Sequence, residues 1–406
     1  MEKETDIGKI DMKCFLCHKN KSAEFLNLGN QPLANKYPAT EAAFQTEDFF
    51  PLKVFFCTNC KNVQLGTVVS RERMFEDYYY LSSVNPGLVR HFEKLAKKLA
   101  RAKFVVDIGS NDGILLKPLK SLGVKAVGVD PSINVGKIAN DQGLTTLISF
   151  FNDACAETIK KQYGRPDTVV ASSIFTHLED PHQFIEAVKK LMTPDGNFII
   201  EVEYIGDILK DIKFERFYLD RIFYYSLTSL KHLFETHGMY ITDAEKIAPH
   251  GGSLRVTAKN RGQKKKMSAR AARLFKTETV SLTPKKLKAF KKKVESYIKA
   301  FRDKLEQYKK LKLKVAGYGA PARVATITNF GNIGPELIPF IIDDSPLKQN
   351  RFSPGLHIPI KPKNYLEEHE PDVLVVFAYE YFEDIKKKTR DGNYRYLIAI
   401  PPREIR

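Results

Sequence analysis

Four cysteines stand as two Cys-x-x-Cys pairs, Cys14 with Cys17 and Cys57 with Cys60. Four soft thiolates at that spacing suit one tetrahedral Zn2+, and a set of four protein ligands leaves no open position, so the expected role is structural. Two disulfides or a redox pair are the other readings. A cytosolic chain disfavours the first, and the presence of two such pairs disfavours the second. The fifth cysteine, Cys155, falls in a segment of helical composition and reads as a small buried apolar residue.

A second constellation spans residues 104–130. The apolar run Phe104–Ile108 carries Asp107 and leads into Gly109-Ser110-Asn111-Asp112-Gly113, after which the pattern becomes helical. Glycines there allow a tight turn and close approach of a ligand, and the start of a helix favours a carboxylate. The next run, Ala126–Asp130, ends in an acid able to accept hydrogen bonds from both hydroxyls of a ribose. The interval between Gly109 and Gly113 departs from the Gly-x-Gly-x-x-Gly of nicotinamide dinucleotide sites and fits S-adenosylmethionine (SAM) better. The cofactor candidates are therefore Asp107, Gly109, Ser110, Asn111, Gly113, Asp130 and Pro131, with Ser172 at the end of a later apolar run.

These residues need a scaffold, and the pattern supplies one. From Lys103 to Val202 the runs FVVDI, AVGVD, TTLI, TVVAS and NFIIEV alternate with segments of helix length, which predicts a parallel sheet with helices on both faces and ligands beyond the carboxyl ends of its strands. His250-Gly251-Gly252-Ser253-Leu254-Arg255 reads as a loop entering a strand, and Pro284–Leu311 as a connecting helix. A second α/β unit follows, with a strand at Leu313–Gly317, the turn Gly317-Tyr318-Gly319-Ala320, an apolar run ending at Asp343-Asp344, and further runs at Val373–Phe377 and Tyr396–Ile400. The fold expected is α/β: a Rossmann-like middle sheet, a small N-terminal zinc module and a second Rossmann-like domain. The boundaries read as 1–70 for the zinc module, 71–262 for the SAM-binding domain, 263–311 for a lysine-rich linker and helix, and 312–406 for the C-terminal domain.

The chain of 406 residues is long enough for several cores, and its 43 % hydrophobic and 28 % charged residues are ordinary for a globular protein. No apolar run reaches the roughly 20 residues of a membrane span, and the first residues lack the apolar stretch of a secretory signal, so a cytoplasmic protein with no membrane partner is expected. The net charge of +17 is spread along the chain, densest at Lys264-Lys265-Lys266, Lys285-Lys286 and Lys291-Lys292-Lys293, and reads as a solvated linker and helix face rather than a nucleic-acid track. The same sign suits a diphosphate-bearing small molecule.

Taken together, the chain resembles the sugar C-methyltransferase family, typified by the 3-C-methyltransferases of nucleotide-deoxysugar pathways, over nearly its whole length. The likeness rests on Cys14-Phe-Leu-Cys17, Leu28-Gly29-Asn30-Gln31-Pro32-Leu33-Ala34-Asn35 and Phe56-Cys57-Thr58-Asn59-Cys60; on Tyr78-Tyr79-Tyr80-Leu81-Ser82-Ser83; on Glu201-Val202-Glu203-Tyr204 and His250–Arg255; and on Gly317–Ala322 and Asp343–Gln349. It implies a class I methyltransferase sheet and a nucleotide-linked keto-sugar held between the middle and C-terminal domains by Tyr79, His250, Arg255, Gly317, Tyr318, Gly319, Ala320 and Asp343. Carbon methylation would follow from an enolate, which needs one base and one oxyanion donor. The family's Tyr-His-Glu-His stretch is Tyr218-Leu219-Asp220-Arg221 here, so both histidines are absent. Arg221 stays protonated and serves as an oxyanion or phosphate partner rather than a base. A family histidine after the fourth strand is retained as His177, which becomes the leading base, with Asp220, Tyr218 and Tyr80 beside it. Sugar O-methylation, a SAM-binding scaffold without turnover, and RNA methylation are the alternatives, and a monomer or homodimer is expected.

Overall fold

The computed structural model describes residues 4–5, 8–70, 81–260, 266–390 and 392–405. Three sheets organise them. The N-terminal sheet comprises β1 (Glu4–Thr5), β2 (Gly8–Lys13), β3 (Asn20–Pro32), β4 (Phe49–Cys57) and β5 (Val63–Leu65), paired in that order. Its last strand, Phe223–Tyr224 (β11 in chain order), comes from far along the sequence and pairs with β5. The zinc module is thus stitched to the segment that connects Asn197–Glu203 to Met239–Ile247, two strands of the middle sheet.

In the middle sheet, β6 (Phe104–Ile108), β7 (Lys125–Asp130), β8 (Thr146–Ile148), β9 (Thr168–Ser172) and β10 (Asn197–Glu203) are parallel, while β12 (Met239–Ile247) and β13 (Ser253–Asn260) pair antiparallel with each other and β13 antiparallel with β10. The order β12-β13-β10-β9-β6-β7-β8 is that of a class I methyltransferase sheet, as the family resemblance implies. Every residue of β6 and β9 is buried, because alternate side chains enter two different cores. Val106, Val127 and Val169 face one, and Val105, Val170 and Ile199 the other. Continuous apolar strands are what a sheet covered on both faces requires. The chain order reverses between β6 and β9, which opens the crevice where such sheets bind ligands.

The C-terminal sheet repeats the plan. Its strands β14 (Val315–Tyr318), β15 (Ile341–Ile342), β16 (Ile360–Lys361), β17 (Val373–Val376), β18 (Arg395–Ile398) and β19 (Arg403–Ile405) run in the order β16-β15-β14-β17-β18-β19, parallel except for β19. The first strand begins later than the sequence predicts. Lys312, in a left-handed conformation (φ 55°), closes the preceding helix, and Leu313 N donates back to Tyr308 O at 3.0 Å.

The helix Pro284–Lys310 joins the outer sheets. Thr283 caps it by accepting from Lys286 N, with proline at its first position. Leu287, Phe290, Val294, Ile298, Phe301, Leu305 and Tyr308 recur at helical spacing and are buried, leaving the lysines on the opposite side. Phe290 meets Phe25 and Phe217 at 6.3 Å, and Phe301 meets Phe377 edge-on at 6.3 Å, so one apolar core runs from the zinc module into the C-terminal sheet. Within the segment read as linker, Ala269–Ser281 is itself a packed helix. Its Glu278 carboxylate accepts from Leu227 N and Thr228 N at 2.7 and 2.8 Å, satisfying the start of the helix Leu227–Thr236. Among the described residues no helix is long and apolar enough to cross a membrane.

Candidate active site and metal centre

The two Cys-x-x-Cys pairs form matching knuckles. His18 N donates to Cys14 O and Lys61 N to Cys57 O, and both His18 (φ 55°) and Lys61 (φ 61°) adopt the left-handed backbone that turns each pair inward. The four sulfurs lie within 4.8 Å of one another, Cys14 to Cys60 and Cys17 to Cys57 each at 3.6 Å, and none is in a disulfide. Four ligands about 2.3 Å from a tetrahedral ion would be separated by about 3.8 Å, so the cage fits Zn2+. Hydrogen bonding to its neighbours draws Cys57 down while the same network pushes Cys14 up. Crowding lets one thiolate form readily, and a cation is what lets four.

At the crevice of the middle sheet, β6 and β7 deliver the residues predicted to hold the cofactor. Gly109 (φ 79°) and Gly113 (φ 84°) take conformations that side chains resist, and a Cβ on either would come within 2.3 Å of Ile174 or Leu144. Asp130, at the end of β7, accepts from Asn111 N at 2.9 Å on one oxygen and from Ser132 N, just past Pro131, at 3.0 Å on the other. A carboxylate has about four acceptor positions, so ribose hydroxyls can be accommodated as well. Burial holds Asp130 above the usual carboxylate range against the pull of these N–H groups. Asp107 lies deeper, and burial followed by the charges of Asp130 and Glu201 pushes it up to about 8.

The remaining polar atoms show where a ligand belongs. Among the described residues, the buried side-chain atoms without a hydrogen bond include Ser110 Oγ, Asp112 Oδ1 and Ser172 Oγ around this crevice. Orphaned buried groups are costly, and three together fit a ligand that completes them. The other oxygen of Asp112 is taken by Ser83, through N at 3.1 Å and Oγ at 2.5 Å, and Asn111 Oδ1 accepts from Ser82 N at 2.9 Å. Tyr79 and Tyr80, just before, lie outside the described residues.

A second orphan group follows: Glu203 Oε2, Glu215 Oε2, Arg216 Nε, Arg221 Nη1 and Arg323 Nη1 lack hydrogen bonds, though several are ion-paired. Arg221 contacts the Glu203 carboxylate at the end of β10 and lies 4.6 Å from the ring centre of Tyr218. Arg216 joins Glu203 to Glu380, which Arg323 also contacts, and the Tyr379 hydroxyl meets Glu215. The cluster thereby spans the middle and C-terminal regions. His177, in the turn after β9, presents Nδ1 to the backbone carbonyl of Asp220. A carbonyl only accepts, so Nδ1 carries a proton. The Asp220 carboxylate is buried, which raises its pKa, and accepts from Asn35 Nδ2 at 2.6 Å.

The predicted substrate residues divide. Arg255 on β13 is opposite Glu201 on β10, and its guanidinium donates to Glu201 at 2.6 Å and Glu245 at 2.9 Å, with His91 at 3.3 Å. Its charge is neutralised inside the sheet. Pro249–Gly251 forms a short turn, whose His250 side chain is not among the described groups. A Cβ at Gly251 would come 2.6 Å from Glu380 Oε1 and 2.7 Å from Arg216 Nη2, so the loop's bare backbone passes over that ion pair. Gly317, Tyr318, Gly319, Ala320 and Asp343 do gather at the C-terminal crevice. Ala320 N donates to Asp343 at 2.6 Å, the Tyr318 hydroxyl to Asp344 at 2.9 Å, and Ala320 O accepts from Tyr37 at 2.7 Å and Lys348 at 2.9 Å. Asn35 and Tyr37, two residues apart on the zinc module, therefore touch Asp220 and Ala320 respectively. Neither was singled out as a site residue from the sequence; nor were Glu203, Arg216, Arg323 and Glu380.

Known proteins match in the same three parts. Family models described as “Putative zinc binding domain”, “Methyltransferase domain” and “C-methyltransferase C-terminal domain” cover residues 14–75, 78–244 and 248–401. C-methyltransferase NovU of Streptomyces niveus is 29 % identical over 415 aligned residues, 98 % of each chain. The mitochondrial ubiquinone biosynthesis O-methyltransferase of Bos taurus is 31 % identical over 101 residues, 24 % of this chain and 27 % of its own. Among solved structures, magnesium protoporphyrin IX methyltransferase of Synechocystis PCC 6803 covers 47 % of this chain and 88 % of its own at 16 % identity, with a TM-score of 0.34. With the crevice, the cysteine cage and these matches, the chain is a SAM-dependent methyltransferase that carries in order a putative zinc-binding domain, a methyltransferase domain and a C-methyltransferase C-terminal domain, and it is similar from end to end to a C-methyltransferase.

Proposed function

We propose that the acceptor is a keto-sugar linked to a nucleotide, methylated on the carbon beside its carbonyl through an enolate. SAM supplies an electrophilic methyl group when bound. The observation that carries the reading is the polar cluster of His177, Tyr218, Asp220 and Arg221, which combines an imidazole oriented by a backbone carbonyl with a fixed cation. His177 Nε2 removes the proton next to the carbonyl. Arg221, anchored by Glu203 and stacked on Tyr218, stabilises the negative charge that grows on the carbonyl oxygen, where a cation in a poorly hydrated site has large effect. Asp220, steadied by Asn35, orients the ring through its hydroxyl groups. The family resemblance supports a nucleotide held at the crevice of the C-terminal sheet, around Gly319 and Asp343, which makes 312–406 a sugar-nucleotide domain.

The test is incubation with methyl-labelled SAM and a panel of nucleotide-linked 4-keto-sugars, with the methyl located by NMR. A new carbon–carbon bond on the carbon next to the retained carbonyl is expected. Label on oxygen would replace the enolate route with O-methylation, which asks only one base of the protein. SAM binding with no label in any sugar would favour a scaffold.

A further inference from the structure

A cavity of about 430 Å3 opens at the end of the C-terminal sheet opposite its crevice. Its walls come from the residues just before β14, β15 and β17 and from the end of the helix Pro284–Lys310. Parallel sheets of this kind bind substrates at the carboxyl ends of their strands, so this cavity lies outside the reaction site. Its volume is that of a small-molecule site.

The chemistry around it is uneven. Lys309, Lys312, Lys314 and Lys361 line it together with a single acid, Glu336, whose carboxylate accepts from Gly334 N at 3.2 Å. None of the four lysines has an ion-pair partner among the described residues, unlike Lys98, Lys190 and Lys388, which are paired with carboxylates. Lys309 and Lys312 close a helix, where cations complement the backbone dipole. Lys314 and Lys361 come from different elements, and the helix end does not account for them. Beside the lysines are stacked rings: Tyr365 and His369 lie 3.8 Å apart at 15°, with Phe340 edge-on to both. Lys361 Nζ is 5.4 Å from the centre of the Tyr365 ring.

Four unpaired ammonium groups beside a flat aromatic wall fit a ligand that is planar at one end and multiply anionic at the other. We propose that this cavity binds a nucleoside polyphosphate, its base against the Tyr365–His369 stack and its phosphates among Lys309, Lys312, Lys314 and Lys361. The inference is independent of which acceptor is methylated, because it uses none of the residues of that site.

The test uses the full zinc-loaded chain saturated with S-adenosylhomocysteine (SAH), so that the cofactor crevice is filled, and ATP as probe in calorimetry at fixed moderate salt. One ATP per chain is expected, bound at least tenfold more tightly than adenosine or inorganic pyrophosphate. Lys312→Glu combined with Lys361→Glu should weaken ATP at least tenfold while SAH affinity and Tm hold. Tyr365→Ala should weaken ATP but leave pyrophosphate unchanged, and Asp343→Ala, at the opposite crevice, should leave ATP unchanged. The proposal is overturned if ATP does not saturate, if the double lysine variant binds it normally, if Asp343→Ala abolishes it, or if a single-stranded RNA outcompetes ATP, which would make the lysines an extended basic surface.

Discussion

The middle and C-terminal sheets build the same turn from different residues. After the first strand of each, a glycine with positive φ, Gly109 or Gly319, donates its N–H at 2.7 Å to a carbonyl of the second strand, Val129 or Ile342. That second strand ends in an aspartate whose two oxygens accept from the turn and from the residue two positions onward. Asp130 takes Asn111 and Ser132, and Asp343 takes Ala320 and Ser345. The surroundings differ. The first turn has unpartnered buried oxygens on Ser110, Asp112 and Ser172, while the second is filled by Tyr37 and Lys348, both donating to Ala320. A glycine turn facing an acid is a product of strand order. The unpartnered oxygens are what distinguish the first turn from the second.

The comparison can be broken most forcefully at the zinc cage. Structural zinc contributes on the order of 10 kcal/mol to such modules, so chelation or Cys14→Ser should loosen the segment carrying Tyr37. Amide exchange at Gly319 and Ala320 should then accelerate by orders of magnitude, while SAH affinity changes by less than about threefold, because the hydrogen bonds described for the first turn come from β7 and from Ser82, Ser83 and Ser132 rather than from that module. Equal loss at both turns would erase the distinction. Next, Asp130→Ala should weaken SAH by about 1.5–3 kcal/mol, the scale of hydrogen bonds to a charged acceptor. Asp343→Ala should spare SAH and lower stability by about 1–3 kcal/mol through its stranded N–H groups, read as a fall in Tm.

Titration sharpens the contrast further. With Asp107 free at about 8 and its ionised form favoured by a cationic ligand, binding of SAM below pH 8 must expel a proton. Affinity for SAM should therefore rise from pH 6 to pH 8, by at most about tenfold per unit, and level off above. SAH, which lacks the sulfonium charge, should rise less, and Asp107→Asn should flatten both curves; an unchanged slope in that variant would remove Asp107 from the cofactor site. The smallest effect expected is Tyr37→Phe, about 1 kcal/mol for one neutral hydrogen bond, since Lys348 still serves the Ala320 carbonyl. Thermal melting would detect it without any change in SAH binding.

Much of this was legible because it is local. A Cys-x-x-Cys knuckle is closed by its own next residue, His18 or Lys61, and a glycine turn with an acid one strand later spans some twenty residues. The arginine–glutamate network behind Arg221 was not legible, because Glu203, Arg216, Arg323 and Glu380 are ordinary charged residues from separate elements that meet only after the sheets pack. Arg255 looked available to substrate, and it is the register of β13 against β10 that sets it opposite Glu201.

The sequence by itself determined the cage, the first turn, the alternation that makes two parallel sheets, and the absence of the family's two histidines at positions 219 and 221. Only the tertiary structure decided that Asn35 steadies Asp220, that Tyr37 occupies the second turn, and that three arginines share Glu203 and Glu380 across two regions. The physical reason is distance along the chain. Spacing records groups that one turn or one strand can bring together, whereas a hydrogen bond between residues 185 positions apart exists only when separate elements share one buried volume and its polar atoms must find partners there.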